Sequence, residues 1–175
     1  NVTVKLGTRV SADELARAGF DEVILATGIQ PRVPAIDGVQ HPKVLNYLDV
    51  LRDDKPVGAR VAVIGAGGIG FDVSEYLTHA GESGAVAPAK FYEEWGIDTD
   101  YAQAGGLRHA RVEAPARRVH LLQRKAAKVG DQLGKTTGWI HRASLKARRV
   151  AMHSGVSYER IDDAGLHLTL DGEAR

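Results

Sequence analysis

The glycine-rich segment Gly65-Ala-Gly-Gly-Ile-Gly70 places the strongest constraint on the fold of this chain. It follows the apolar run Val61–Ile64 directly and precedes apolar residues at helical spacing, from Phe71 to Leu77. In the pattern G-x-G-x-x-G the first glycine permits a tight turn, the second lets a pyrophosphate approach the backbone, and the third lets helix and strand pack closely. The order strand, turn, helix therefore predicts an α/β, Rossmann-like dinucleotide-binding domain. The alternative is a tight strand-to-helix turn that holds no ligand.

The elements expected after this turn fit the same fold. Short apolar runs predict strands at Val119–Leu122 and Val150–Met152, with a helix between them over about 136–149. Alternating apolar residues on both sides of Asp162-Asp-Ala-Gly165 predict a hairpin, the start of a β-meander. Residues 82–117 are rich in Gly, Ala and Pro, and we interpret them as an insertion with one short helix near Phe91–Trp95.

The first forty residues predict a piece of a second domain. Val2, Val4 and Leu6 alternate with polar residues, as in a half-buried strand. Val23–Ala26 is continuously apolar, as expected of a strand buried on both faces. The prolines between 31 and 42 predict an extended, stiff connection.

These patterns give a predicted domain organisation. Residues 1–38 form part of one domain, residues 39–58 a linker, and residues 59–175 the dinucleotide-binding domain with its insertion at 82–117. The chain begins at Asn1 in a predicted strand and ends after a predicted hairpin. We therefore expect a fragment whose nucleotide-binding domain is truncated at its C-terminus.

The residues that follow the second strand of the domain indicate which nucleotide is bound. NAD-binding domains usually carry Asp or Glu there, which accepts hydrogen bonds from the ribose 2′-hydroxyl. This chain instead has Gln123-Arg124-Lys125. A carboxylate would repel a 2′-phosphate, whereas a guanidinium can bind it through two charge-assisted hydrogen bonds. The sequence thus favours NADPH over NADH, although Arg124 and Lys125 could also be solvated surface charges.

Composition excludes several other classes of function. Lys and Arg number 23 against 22 Asp and Glu, a balance that favours neither nucleic acid nor an anionic membrane as partner. The absence of cysteine excludes disulfides and thiolate ligands from this chain, and the seven histidines lack the spacing of metal ligands. No apolar run is long enough to span a bilayer, so we expect a cytoplasmic protein without a metal site.

Sequence strings spread over the whole chain, the insertion included, point to one known family. They are Leu25–Arg32, His41–Leu45, Val61–Asp72, Glu94–Asp98, Leu122–Lys125 and Gly134–Arg142. On these strings the chain resembles the NADPH-dependent 2,4-dienoyl-CoA reductases of bacteria, flavoproteins related to trimethylamine dehydrogenase. In that family a barrel domain with FMN and a 4Fe-4S cluster precedes one Rossmann-like domain for FAD and another for NADPH.

The resemblance implies a function and a set of binding residues. The chain would be the C-terminal, NADPH-binding fragment of an oxidoreductase of unsaturated fatty acid β-oxidation, passing hydride from NADPH to FAD. Its partners would be NADPH and the remaining domains of the parent chain, and it would have no catalytic residue and no activity alone. The pyrophosphate would contact Gly65, Ala66, Gly67, Gly68, Ile69 and Gly70, the 2′-phosphate Arg124 and Lys125, and FAD would lie close to Ala26, Thr27 and Gly28.

Two other functions remain open on the sequence. One is the nucleotide-binding domain of a trimethylamine-dehydrogenase-like enzyme that no longer uses a reducing nucleotide. The other is a module that senses NADP without passing hydride. A separate hypothesis concerns Val23–Ala26: as an apolar strand without its own domain, it would pack against the truncated sheet or pair between chains, because an unpaired apolar strand promotes aggregation.

Overall fold

The computed structural model describes residues 1–175, which separate into two compact units, residues 1–30 and 31–175. In the first unit the only helix is α1 (Ala12–Arg17). It begins with a capping box, in which the Glu14 N–H donates to the Ser11 hydroxyl and the Ser11 N–H donates to the Glu14 carboxylate, at 3.3 and 2.8 Å. These bonds satisfy backbone donors that a helix end leaves free.

The two strands predicted in the first unit are not formed. Residues 2–6 and 23–26 take part in no β-pairing, and Val2 and Ile24 are 89% and 90% exposed. Apolar alternation favours a strand only where a neighbouring strand completes the backbone hydrogen bonds, and no such neighbour exists here. Residues 22–27 form no β-bridge, so Val23–Ala26 does not form the strand that the hypothesis about this segment required.

The second unit contains two three-stranded sheets. A parallel sheet has the order β1-β2-β3, and an antiparallel meander has the order β4-β5-β6. This architecture confirms the predicted α/β, Rossmann-like fold with a β-meander. The elements are α2 (Tyr47–Leu51), β1 (Arg60–Ile64), α3 (Gly68–Thr78), α4 (Pro88–Trp95), β2 (Arg118–Leu122), α5 (Gly138–Ala147), β3 (Ala151–His153), β4 (Ser157–Asp162), β5 (Gly165–Leu170) and β6 (Glu173–Ala174).

The main core joins one face of the parallel sheet to helices α3 and α5. Its most buried side chains are at most 1% exposed and come from α3 (Phe71 and Leu77), β2 (Val119 and Leu121) and α5 (Leu145). Val119 and Leu121 share a face because side chains alternate along a strand. This packing fixes the position of α3 relative to β2. The carboxyl end of β2 packs separately on the meander, where Leu122, Val156 and Leu170 form a second buried cluster.

The insertion between α3 and β2 carries the helix predicted near Phe91–Trp95. Helix α4 starts with Pro88 and ends at Gly96, whose φ of 65° lies in the left-handed region. A side chain at that position would collide with the backbone of residues 108 and 110. The insertion is joined to α5 by an ion pair between Glu94 and Arg148. None of the helices combines the length and apolar character needed to cross a lipid bilayer.

Candidate functional site

The parallel register brings the glycine turn and the Gln123-Arg124-Lys125 segment to one edge of the sheet. Ile64 at the end of β1 lies opposite Leu122 at the end of β2. The N–H of Gly65, the next residue, donates to the Leu122 carbonyl oxygen at 2.9 Å. Both segments therefore begin at neighbouring points on the carboxyl edge, which is where open α/β sheets bind ligands.

The turn Gly65–Gly70 presents open backbone to solvent. Helix α3 has Gly67 as its N-cap and no side-chain cap, and the N–H groups of Gly67, Gly68 and Ile69 donate to no atom of the protein. A Cβ placed on Gly65, Gly67 or Gly68 would meet nothing within 4 Å. Free N–H groups at a helix N-terminus attract anions through hydrogen bonding and the helix dipole. The turn thus fits a pyrophosphate.

Gly70 has a different function in the turn. A Cβ on this residue would overlap the carbonyl oxygen of Gly65. Its missing side chain lets the first turn of α3 lie against the loop that leaves β1, which is the role predicted for the third glycine of the motif. Ala66 is partly buried against the main core, whereas Ile69 is 40% exposed.

The segment after β2 carries free positive charge. The side chains of Arg124 and Lys125 are exposed, and neither makes an ion pair or a hydrogen bond. We call residues 124–127 the cation loop. No carboxylate neutralises it, so its two cations are available to an anionic ligand.

Backbone and side-chain hydrogen bonds hold the cation loop in place. The Gln123 amide nitrogen donates to the carbonyl oxygens of Lys125 and Ala127, at 3.0 and 2.8 Å. The Gly155 N–H donates to the same Lys125 oxygen at 3.1 Å. The sequence indicated Gln123 only as a residue that is not acidic and gave no sign of Gly155. These contacts depend on which residues lie close together in the folded chain, and local sequence motifs do not show that.

The segment that follows the cation loop packs on α3. Gly130 is buried over Phe71, and a Cβ there would lie 2.7 Å from the Phe71 ring. The Arg142 guanidinium, from α5, donates to the Gly130 carbonyl oxygen at 2.8 Å. Because Phe71 belongs to the helix that starts in the glycine turn, this contact connects the two halves of the site.

Tyr158 lies under the site and was not predicted. It packs with Leu122 in the second buried cluster, and its hydroxyl is buried without a hydrogen-bond partner. Burial raises the pKa of Tyr158, while the nearby Arg124 guanidinium opposes that rise.

Each unit carries its own part of the predicted binding set. Gly65–Gly70 and Arg124–Lys125 converge at the sheet edge described above. Ala26, Thr27 and Gly28 belong to the first unit, where they are exposed and lie outside any helix or strand, and Gly28 has a left-handed φ of 78°. Contacts of these eleven residues with a cofactor remain predictions, as do the domain boundaries at 38/39 and 58/59.

Comparison with known families identifies the family to which the chain belongs. The profile described as pyridine nucleotide-disulphide oxidoreductase matches residues 2–175. The chain belongs to this family. Membership implies the use of FAD and a pyridine nucleotide, in agreement with the glycine turn.

Relatives of this family member match different shares of its length. Cinnamate reductase of Clostridium sporogenes is 34% identical over 110 residues, which are 62% of this chain and 15% of that protein. Bilirubin reductase of Mediterraneibacter gnavus is 32% identical over 46% of this chain and 13% of its own length. NADH oxidase of Lactococcus lactis is 30% identical over 54% of this chain and 25% of its own length. The chain thus spans a small part of each relative.

A solved structure supports the fold. The complex of 2-naphthoyl-CoA reductase with 2-naphthoyl-CoA superimposes with a TM-score of 0.64 and 20% identity. The match covers 98% of this chain and 21% of the other.

The resemblance to 2,4-dienoyl-CoA reductases and to trimethylamine dehydrogenase is wrong as an identification. The relatives found are cinnamate reductase, NADH oxidase and naphthoyl-CoA reductase within the pyridine nucleotide-disulphide oxidoreductase family. Two of the strings that suggested it, Val61–Asp72 and Leu122–Lys125, lie at the glycine turn and the end of β2, where nucleotide binding imposes similar residues on many enzymes. The expectations of FMN, a 4Fe-4S cluster and a role in β-oxidation rested on that resemblance alone.

Proposed function

We propose that this chain supplies the NADPH site of a flavoprotein reductase and positions the nucleotide to reduce FAD held by other parts of the protein. The observation that carries the proposal is the placement of an open glycine turn beside a loop with two free cations. Gly65 and Leu122 join the two segments through a backbone hydrogen bond of 2.9 Å. When bound, NADPH supplies a hydride for the flavin.

The residues of the chain divide the binding of the nucleotide between them. The free N–H groups of Gly67, Gly68 and Ile69 are donors for the pyrophosphate oxygens. Arg124 and Lys125 are donors for a 2′-phosphate at the adenosine end. The backbone donors of the glycine turn are held by the start of α3 before the ligand arrives, which lowers the ordering cost of binding.

The charge at the end of β2 favours NADPH over NADH and FAD at this turn. Neither NADH nor FAD carries a 2′-phosphate, so neither would use both cations. Domains that bind NAD through its free ribose 2′-hydroxyl usually carry a carboxylate at the strand end, and residues 123–125 contain none. The proposed partners are NADPH and the FAD-bearing part of the same protein. Both agree with the membership of the chain in an oxidoreductase family.

Calorimetry of the full-length protein with NADP⁺ and NAD⁺ tests this proposal. We expect NADP⁺ to bind at least about tenfold more tightly, because a charge-assisted phosphate contact is worth ~1.5–3 kcal/mol. Under anaerobic conditions NADPH should also bleach the flavin absorbance faster than NADH at equal concentration. Equal or tighter binding of NAD⁺ would contradict the proposal, and tight NADP⁺ binding without flavin bleaching would limit the chain to sensing the nucleotide.

A further inference from the structure

We infer that Gln123 is a positioning residue that selects the phosphorylated nucleotide by holding the cation loop; the inference rests on the function proposed above. Its side-chain nitrogen lies 3.0 Å from the Lys125 carbonyl oxygen and 2.8 Å from that of Ala127. Carbonyl oxygens only accept hydrogen bonds, so the nitrogen and not the oxygen of the amide must face them. Both N–H donors of Gln123 are thereby used inside the loop.

The backbone of Gln123 is itself anchored on two sides. Its N–H donates to the His153 carbonyl oxygen at 2.8 Å, and its carbonyl oxygen accepts from the Val156 N–H at 3.0 Å. Val156 is 2% exposed and belongs to the cluster beneath the strand end. The Gln123 backbone is thus fixed to the fold, and its side-chain amide fixes the backbone that carries the long side chains of Arg124 and Lys125.

A carboxylate at position 123 could not form this arrangement. An ionised Asp or Glu has no hydrogen to donate, and its oxygens would repel those of Lys125 and Ala127. The residue type that reads a ribose hydroxyl in NAD-binding domains would thus open the loop as well as repel a 2′-phosphate. Glutamine avoids the negative charge and closes the loop. Position 123 therefore contributes to nucleotide choice in two ways.

The side-chain amide oxygen of Gln123 has no partner and is a weak acceptor for a ribose hydroxyl. No hydrogen bond to Oε1 exists within the protein, whereas both hydrogens of the nitrogen are bound. An uncharged acceptor is weaker than a carboxylate toward a ribose hydroxyl, since hydrogen bonds to ionised groups are the stronger ones. Affinity for NAD⁺ should therefore depend little on this side chain.

The test replaces Gln123 with Met in the full-length protein, since Met has similar length and no donor. Gln103→Met is the matched control, because Gln103 is an exposed residue of the insertion whose side chain makes no hydrogen bond. Calorimetry should show the NADP⁺ dissociation constant of Gln123→Met raised about tenfold. The NAD⁺ constant should stay within about twofold of wild type. Without nucleotide, hydrogen exchange of the Gly155 amide, whose N–H donates to the Lys125 carbonyl oxygen at 3.1 Å, should become faster in this variant alone.

The outcomes separate this inference from the proposed function. If wild type does not prefer NADP⁺, the proposed function fails and the inference fails with it. If wild type prefers NADP⁺ but Gln123→Met keeps both the preference and the slow exchange, only the inference is overturned. Equal losses for both nucleotides would show a general structural role and would also overturn it. Should Gln123→Met fail to fold, Gln123→Ala is measured in the same way, and Gln123→Glu should lose still more NADP⁺ affinity.

Discussion

The guanidinium of Arg148 at the end of α5 lies 3.0 Å from the carboxylate of Glu94 on α4, and both side chains are more than nine-tenths buried. This pair joins the insertion to the nucleotide-binding fold. The second carboxylate oxygen of Glu94 has no partner, and neither has the nearby buried Nδ1 of His79. Burial, followed by the charge of Arg148, lowers the pKa of His79.

Removing one member of this pair should strongly destabilise the protein. Arg148→Met would leave the Glu94 carboxylate buried without a counter-ion, and we expect a loss of about 3–5 kcal/mol in the free energy of unfolding. Chemical denaturation measures it. Arg148→Met combined with Glu94→Leu should be less destabilising than the sum of the single variants, because no charge remains buried. Glu173→Gln, which breaks the exposed pair with Arg175, should change little; additive losses at 94 and 148 would show that the two residues act independently.

Two glycines of the same turn should respond differently to alanine. Gly67 has φ and ψ of −85° and −174°, and a Cβ there meets nothing, so Gly67→Ala should fold normally. The added methyl would occupy the space open to the pyrophosphate, and both NADP⁺ and NAD⁺ should bind about tenfold more weakly, a loss of ~1.4 kcal/mol. Calorimetry combined with thermal unfolding measures both effects.

Gly70→Ala should instead lower stability. Its methyl would overlap the Gly65 carbonyl oxygen, so α3 must shift relative to the loop. Overpacking of this kind costs about 1–3 kcal/mol, which denaturant unfolding detects. If Gly67→Ala and Gly70→Ala gave the same combination of stability and affinity, the distinction between an open and a packed side of the turn would be wrong.

Arg124 is the residue expected to bind the 2′-phosphate of the nucleotide. Arg124→Ala should weaken NADP⁺ binding by about 1.5–3 kcal/mol and leave NAD⁺ nearly unchanged, because a guanidinium–phosphate contact is charge-assisted. Isothermal calorimetry of both nucleotides provides the measurement. Arg108→Ala removes an equally exposed arginine from the insertion and should affect neither. Equal losses for the two nucleotides would mean that Arg124 acts on a part of the ligand they share.

The sequence predicted those parts of the fold that local chemistry determines. The glycine turn and the short helix α4 both follow from nearest neighbours along the chain. The pairing of Ile64 with Leu122 could be expected as well, because parallel strands of this motif are adjacent. Hence the sequence alone predicts that the glycine turn and residues 123–125 follow neighbouring strands.

Features that depend on distant neighbours escaped prediction. The strands expected at 2–6 and 23–26 have suitable side chains but no partner strand, and side-chain pattern alone does not reveal a missing partner. The hydrogen bonds of the Gln123 side-chain amide depend on the backbone path of residues 124–127, which the sequence pattern does not give. The seven histidines showed no pairing at helical spacing, yet His120 and His153 meet across two strands.

The two histidines are in contact across neighbouring strands of the parallel sheet. The Nδ1 of His120 on β2 lies 3.2 Å from the Nε2 of His153 on β3, and the ring planes differ by 9°. One ring must donate and the other accept, so at least one imidazole is neutral. Burial is the main reason that the pKa of His120 is lowered, and His153, Arg118 and Arg60 lower it further by charge repulsion.

This contact predicts that stability falls in mild acid. Because the pKa of folded His120 lies below its value in the unfolded chain, the unfolded state takes up the proton first as pH falls. Its contribution to stability is complete above about pH 6.5, the ordinary histidine pKa, and is lost as pH drops toward the lowered folded value. Urea unfolding from neutral to mildly acidic pH should show this slope, and His120→Gln should reduce it, whereas His109→Gln, at an exposed position, should leave it intact. A slope unchanged in His120→Gln would place the acid sensitivity at other groups, with His79, whose pKa is also lowered by burial, as the next to test.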